Sequence, residues 1–307
     1  MEKTGNIAAF LGILAVCWSL TSGAPAMAQQ SFASPEAAAT ALVEAARHPG
    51  DGQLEKLFGL GARDLLLSGD AAVDHKRIDT FLALAAQGTT VLDGPNATRI
   101  IAFGRENWAF PIPLKPSNGQ WVFDLAAGRD EIITRNIGRN ETIAIGACGD
   151  FVAAQREYFS QTHDGDPIPQ YARRFISSPG LRDGLYWPPD TPDDRSPLGD
   201  RIADAGLDGV TASDRPQPYN GYIYRILTRQ GAGAPGGAFD YMVAGRLLAG
   251  FAMLAFPARW QETGVMTFLC SQNGSVYELN LGPRTEKLAT QIRSFDPKGW
   301  RRVGEDW

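Results

Sequence analysis

The chain has 307 residues, 29 of them Lys or Arg and 34 Asp or Glu, for a formal charge of −5 and a pI near 5.3. No run of Lys and Arg breaks that acidic balance, which argues against binding nucleic acid by phosphate neutralisation or docking on an anionic membrane. The length allows a sizeable hydrophobic core divided between two domains.

The first residues, MEKTGNIAAFLGILAVCWSLTSGAPAMAQQ, read as an export signal. Lys3 precedes an apolar run from Ile7 to Leu20, Gly23 and Pro25 break any helix, and Ala26 and Ala28 suit cleavage after Ala28. The run falls short of the ~20 apolar residues of a membrane anchor, so no membrane span is expected once residues 1–28 are gone. A lipid-anchored reading through Cys17 is weaker, because Val16 is bulky where that cleavage wants a small residue. Glu2 and Lys3 leave together, so the mature charge stays at −5. The expected location is the periplasm or beyond. Cys148 and Cys270 are then the two remaining cysteines, in an oxidising compartment. They either form a disulfide or sit apart as small buried hydrophobes, and the sequence leaves both open.

Ser34-Pro35-Glu36 opens the first helix with a cap, a first-turn proline and an acid at the positive dipole end. Short helices follow over Gln53–Phe58 and Val73–Ala86. The period then changes to two, predicting a three-strand antiparallel meander: Ala97–Phe103, Trp108–Pro113 and Gln120–Leu125, with a turn at Pro116–Gly119. Asp130–Phe159 is mostly helical, with Ile145, Cys148, Val152 and Phe159 on one stripe and Phe151 and Tyr158 on its flank. The domain boundary is placed near Ile137–Gly138, giving domains at 29–137 and 138–307. A Pro- and Gly-rich span from His163 to Pro218 carries predicted short helices at Gln170–Phe175 and Leu198–Ala205. Strands are predicted at Tyr222–Thr228, Phe239–Ala244, Gly250–Phe256, Val265–Ser271 and Ser275–Asn280, with a hairpin at Asn273–Gly274. An amphipathic helix, Thr285–Phe295, closes the chain with Leu288, Ile292 and Phe295. The fold class is α+β.

Little concentrated chemistry is present. His48, His75 and His163 lie outside metal-ligand spacing of one another and of the cysteines. No cofactor motif survives inspection. Gly231-Ala232-Gly233-Ala234-Pro235-Gly236 fits the dinucleotide pattern, but Pro235 and the strand-like residues after it replace the helix that the motif requires. His163-Asp164-Gly165-Asp166 reads as a solvated turn rather than a calcium loop. The segment SPGLRDGLYWPPD places Arg182, Asp183, Tyr186 and Trp187 together, and the neighbouring strands add Tyr224, Arg225, Asp240, Tyr241 and Arg246. Arg and aromatic residues are the types that dominate recognition sites. The competing reading makes Tyr186 and Trp187 a packed corner, with Gly180 and Gly184 allowing its turns, and the strand charges a solvent face.

SPGLRDGLYWP, SPLG at Ser196–Gly199, YNGYIYRILTRQG at Tyr219–Gly231, APGGAFDYMVAGRLLAGFAMLAFPARW and GVMTFLCSQNGSVYELNLGP together resemble an exported bacterial family of unknown function (domain of unknown function 2950). FASPEAAATALVEAA, WAFPIPL and IGRNETIAIGACGDFVAAQREY extend the likeness over nearly the whole mature chain. The resemblance implies an exported protein and carries no catalytic residues. AIGACGDFVAAQREYF with GYIYRIL, GFAMLAFP and TFLCSQNGSVYE also resembles the head of pilin-like proteins, one helix packed on an antiparallel sheet. About 120 residues separate the leader from Glu141, however, whereas a pilin runs that helix straight out of its membrane segment. The expected function is a non-catalytic module binding an envelope protein or other envelope component. The rivals are an envelope hydrolase using carboxylates such as Asp183 and Asp240, and a pilin-related structural protein.

Overall fold

The computed structural model describes residues 29–48, 52–67, 71–191, 193–199 and 218–304. The leader at 1–28 and most of the helix predicted over Leu198–Ala205 lie outside them. By its internal contacts the chain divides into two compact units, Met1–Ala127 and Gly128–Trp307. The boundary expected near Ile137–Gly138 falls ten residues further on, inside a helix. Among the described residues no helix is long and apolar enough to cross a membrane.

The first unit begins with α1 (Pro35–Arg47), α2 (Gln53–Phe58), α3 (Ala62–Leu66) and α4 (Ala71–Ala85). The Ser34 side chain caps α1 by accepting from the Ala37 amide at 3.2 Å, and α1 buries Ala38, Ala39 and Leu42. Its sheet has five strands rather than the predicted three: β1 (Thr89–Asp93), β2 (Arg99–Phe103), β3 (Trp108–Ala109), β4 (Leu114–Ser117) and β5 (Gln120–Phe123). The strand predicted over Trp108–Pro113 stops after Ala109, because Pro111 and Pro113 have no amide to give a ladder. The chain restarts at β4, and Asn118 and Gly119, at φ of 50° and 76°, turn it into β5. That is the left-handed pair a two-residue hairpin requires. Phe58, Phe103 and Phe123 are buried in this unit, with Phe58–Phe123 centroids 4.8 Å apart and Phe81–Phe103 at 4.9 Å.

The second unit is built on α5 (Leu125–Phe159), a helix of 35 residues that starts just before the unit boundary. Its strands are β6 (Tyr222–Leu227), β7 (Arg229–Gln230), β8 (Phe239–Asp240), β9 (Met242–Val243), β10 (Arg246–Leu247), β11 (Ala252–Pro257), β12 (Thr267–Ser271), β13 (Val276–Leu279) and β14 (Arg301–Arg302), with α6 at Thr285–Gln291. The main sheet is antiparallel throughout, in the order β14-β13-β12-β11-β6. Every residue of β11 and β12 is buried, as expected of central strands covered on both faces. Alternation assigns the faces. Met253, Ala255, Phe268 and Cys270 share one with Tyr222, Tyr224 and Ile226, and this face meets α5 through Cys148 and Ala144. Leu254, Leu269, Arg225 and Leu227 lie on the other, with α6.

On α5 the buried stripe runs through Ala144, Cys148, Phe151, Val152, Gln155 and Tyr158. Phe151 and Tyr158, expected on the flank, are core residues, while Ile145 and Phe159 are only partly buried. Asn140 and Glu141 pin the loop before β12: Asn140 Nδ2 donates to the Thr263 carbonyl at 3.0 Å. Glu141 Oε1 accepts the Val265 and Met266 amides at 2.8 and 2.9 Å.

Three further predicted elements differ. Gln170–Phe175 is extended, because its backbone finds partners elsewhere: the Tyr171 amide donates to the Leu247 carbonyl, and Gln155 takes both polar groups of Ala172. Phe239–Ala244 is two short strands. The Asp240 side chain accepts the Met242 amide at 2.8 Å, so β8 pairs with β7 while β9 turns at Ala244–Gly245 to pair with β10. The closing helix ends at Gln291, where the Arg225 guanidinium takes its last carbonyls, and Phe295 goes on to bridge Gln230 in extended form.

Candidate functional site

The loop carrying the SPGLRDGLYWPPD motif is a cross-braced corner. Leu185, Tyr186 and Trp187 are buried at 0, 3 and 5% exposure, so both aromatic rings face inward. The Tyr186 amide donates to the Phe175 carbonyl and its own carbonyl accepts from Ser177, both at 2.8 Å. Asp183 accepts from the Ser178 amide at 2.7 Å and its hydroxyl at 2.9 Å, and Arg174 lies 3.4 Å from the same carboxylate. Arg182 stands over the Trp187 ring at 5.7 Å and pairs with Asp194 at 2.9 Å, while Trp187 Nε1 donates to that carboxylate at 3.1 Å. The Asp190 amide first, and then the Arg182 guanidinium, hold the Asp194 carboxyl below its ordinary range.

The two glycines of the motif act differently. Gly180 has φ of 76°, the left-handed conformation of a turn. Gly184 has no such requirement, but a Cβ there would stand 2.7 Å from the Ser177 amide nitrogen and 2.8 Å from the Ile176 carbonyl carbon. Gly184→Ala is therefore expected to lower stability by ~2 kcal/mol through crowding against backbone that cannot swing away, measurable by urea titration. Gly165→Ala, where a Cβ meets nothing within 4 Å, tests what left-handed strain costs without crowding.

The turn at His163–Asp166 is less solvated than its sequence suggests. Asp164 accepts the Arg182 amide at 2.9 Å, Asp166 pairs with Arg246 at 3.0 Å, and His163 stacks on Tyr158 with centroids 3.9 Å apart. Tyr158 Oη in turn donates to the Arg182 carbonyl at 2.7 Å. Among the described residues no group of three or more His, Cys, Asp or Glu could hold a metal ion.

The strand candidates are also tied into the framework. Tyr241 is buried and donates to Gln230 Oε1 at 2.9 Å. Asp240 is exposed, accepts the Met242 amide and lies 4.0 Å from Arg229. Among the described residues Asp183 and Asp240 share no partner. The Tyr224 hydroxyl is buried without a hydrogen bond among the described residues. Burial raises the Tyr158, Tyr222, Tyr224 and Tyr241 phenols, Tyr241 to about 12. These phenols contribute stability that is complete below the ordinary tyrosine pKa of ~10 and is lost as pH climbs toward the folded-state values. A 295 nm titration should show Tyr158, Tyr222, Tyr224 and Tyr241 ionising only as the protein unfolds, above the ordinary tyrosine pKa of ~10. A single wave near pH 10 with the fold intact would contradict this burial.

Cys148 and Cys270 are bonded as a disulfide, with Cα atoms 5.7 Å apart and both residues 1% exposed. The bond joins α5 to β12 in the centre of the sheet.

A family model described as "Protein of unknown function (DUF2950)" matches residues 29–303. The chain belongs to the DUF2950 family. No curated protein and no solved structure matches it, and the likeness of its C-terminal half to pilin heads is not confirmed.

One surface feature of this DUF2950 protein was not picked out among the sequence candidates. A shallow, open groove is lined by Arg225, Ile226, Leu227, Thr228, Arg229, Ile292 and Arg293. Arg225 Nη2 donates to the Ala289 carbonyl at 2.8 Å and also to that of Ile292, closing the C-terminal end of α6. Burial, with the neighbouring Arg293 charge, pushes the Arg225 guanidinium down from its ordinary value. Of the three arginines only Arg225 was a sequence candidate. The R-x-x-x-R spacing of Arg225 and Arg229 was visible, but the turn that brings Arg293 beside them was not.

Proposed function

We propose that this DUF2950 protein is an exported, non-catalytic binding module of the cell envelope. The leader at residues 1–28 supports export, and an oxidising compartment suits a buried Cys148–Cys270 pair. The observation that carries the binding reading over the hydrolase reading is the use made of the carboxylates. Both oxygens of Asp183 are taken up by Ser178, with Arg174 beside them. Asp240 is exposed, holds the Met242 amide at one oxygen and shares no partner with Asp183 among the described residues. A hydrolase using the two as acid and base needs both carboxylates within reach of one substrate.

The test is cross-linking in intact cells that express the tagged full-length chain, followed by fractionation and mass spectrometry. The expected product is a chain beginning at Gln29, recovered with the envelope fraction and cross-linked to an envelope component. An unprocessed chain in the cytosol overturns the export half. A processed chain that cross-links to nothing, yet turns over an envelope substrate and stops doing so as Asp183→Asn, overturns the binding half.

A further inference from the structure

The two edges of the main sheet in the second unit are protected unequally. At one edge β14 is two residues long and both are arginines, a short charged border of the kind that deters pairing. At the other, β6 has six residues. Tyr222 exchanges both backbone hydrogen bonds with Tyr219 across the Asn220–Gly221 turn, and the Thr228 carbonyl accepts the Tyr241 amide at 2.8 Å. The Gly221 carbonyl instead accepts from Ala258, on the β11 side. Even-numbered residues of β6 therefore turn their amides and carbonyls away from β11, as antiparallel alternation requires. Between the two covered ends stand Tyr224 and Ile226, whose outward backbone groups have no partner among the described residues.

The arginine-lined groove runs beside this gap. Arg293 has no ion pair among the described residues, and Arg229 has only the exposed Asp240 at 4.0 Å. A cationic trough on a protein of net charge −5 is a local reversal of sign. A small anion or a phosphate polymer could use the guanidinium groups but would leave the Tyr224 and Ile226 carbonyls unpaired. An extended peptide satisfies amides and carbonyls together, and its acidic side chains would meet the arginines. A second copy of the chain, pairing edge to edge, would instead bring arginines against arginines.

We propose that the β6 edge between Tyr222 and Thr228 takes up a short, acidic, extended segment of a partner protein as an added strand, held by the Tyr224 and Ile226 backbone and read by Arg229 and Arg293. This rests on the reading of the protein as a binding module and is independent of its location.

The test titrates the isotope-labelled mature protein with a synthetic peptide of alternating glutamate and valine, about eight residues long. Controls are its lysine-for-glutamate counterpart, a version interrupted by proline, free glutamate and inorganic phosphate. The expected result is saturable binding of the acidic peptide alone, with the Tyr224 and Ile226 amides shifted and protected from exchange. Affinity should fall roughly tenfold or more with added salt or with Arg229→Glu plus Arg293→Glu. Ile226→Pro removes an outward amide while leaving the β11 ladder its partners, and should abolish binding. The charge-reversed variant keeps the test decisive if the proline variant fails to fold. Equal binding of the proline-interrupted peptide, or saturation by phosphate or glutamate with the same amide shifts, reduces the groove to an anion trough and overturns the proposal. Concentration-dependent dimerisation lost in Ile226→Pro assigns the edge to a second copy and overturns it too. Failure of the acidic peptide, while the processed protein still cross-links in the envelope, sinks the edge and leaves the binding reading standing.

Discussion

Replacing Cys148 and Cys270 together by alanine is expected to cost about 3–5 kcal/mol and to lower the melting temperature by roughly 10 °C. The two residues are 122 positions apart, so the bond removes much of the freedom of the unfolded chain. Chain-entropy reasoning puts such long loops near the upper end of disulfide effects, at about 5 kcal/mol, and native strain usually trims the figure. Both sulfurs also lie in the core, beside Met253 and Phe151. Scanning calorimetry with and without reductant reads the effect. If the unfolding of residues 29–127 is resolved separately, it should not move. Identical melting of oxidised wild type, reduced wild type and the double variant would show that the bond contributes nothing.

Gln155→Leu is expected to destabilise by about 2–4 kcal/mol despite its closely matched size. Gln155 is fully buried and holds Ala172 at both ends, donating from Nε2 to its carbonyl and accepting its amide at Oε1, each at 2.8 Å. Leucine adds apolar contact but leaves a buried amide and a buried carbonyl unsatisfied, each worth ~1–3 kcal/mol. Denaturant titration gives the size. Amide exchange at Ala172 gives the cause, because the protected amide should become one of the faster-exchanging sites in the segment. Wild-type protection there, together with lost stability, would place the cost elsewhere.

How far the sequence spoke for the fold depended on whether a signal was local. Ser34-Pro35-Glu36 and Asn273-Gly274 carry their geometry in adjacent residues, and the cap and the turn stand where they were expected. The buried length of β11 was legible as an unbroken apolar run, while β12 buries Thr267 and Ser271 beside Phe268, Leu269 and Cys270. Gln170–Phe175 was not, because its backbone partners are Gln155 and Leu247, far along the chain, and they override a helical composition. A trace existed even so. Gln155 is the one polar residue among the buried positions between Ala144 and Tyr158, and a polar group inside an apolar stripe announces a tertiary partner. The candidate residues were legible as types and not as roles. Trp187 and Tyr186 proved internal, Arg225 closes a helix, and the less conspicuous Arg229 and Arg293 line the groove.

The placement of Arg225 bears on how the polypeptide is finished. Its guanidinium depends on carbonyls at Ala289 and Ile292, and the nearly buried Glu278 depends on Arg301. A product released from the ribosome before Thr285 would leave the Arg225 cation without its carbonyl acceptors and the Glu278 carboxylate without its counter-ion. Such fragments are expected to be cut by added protease faster than the full-length chain.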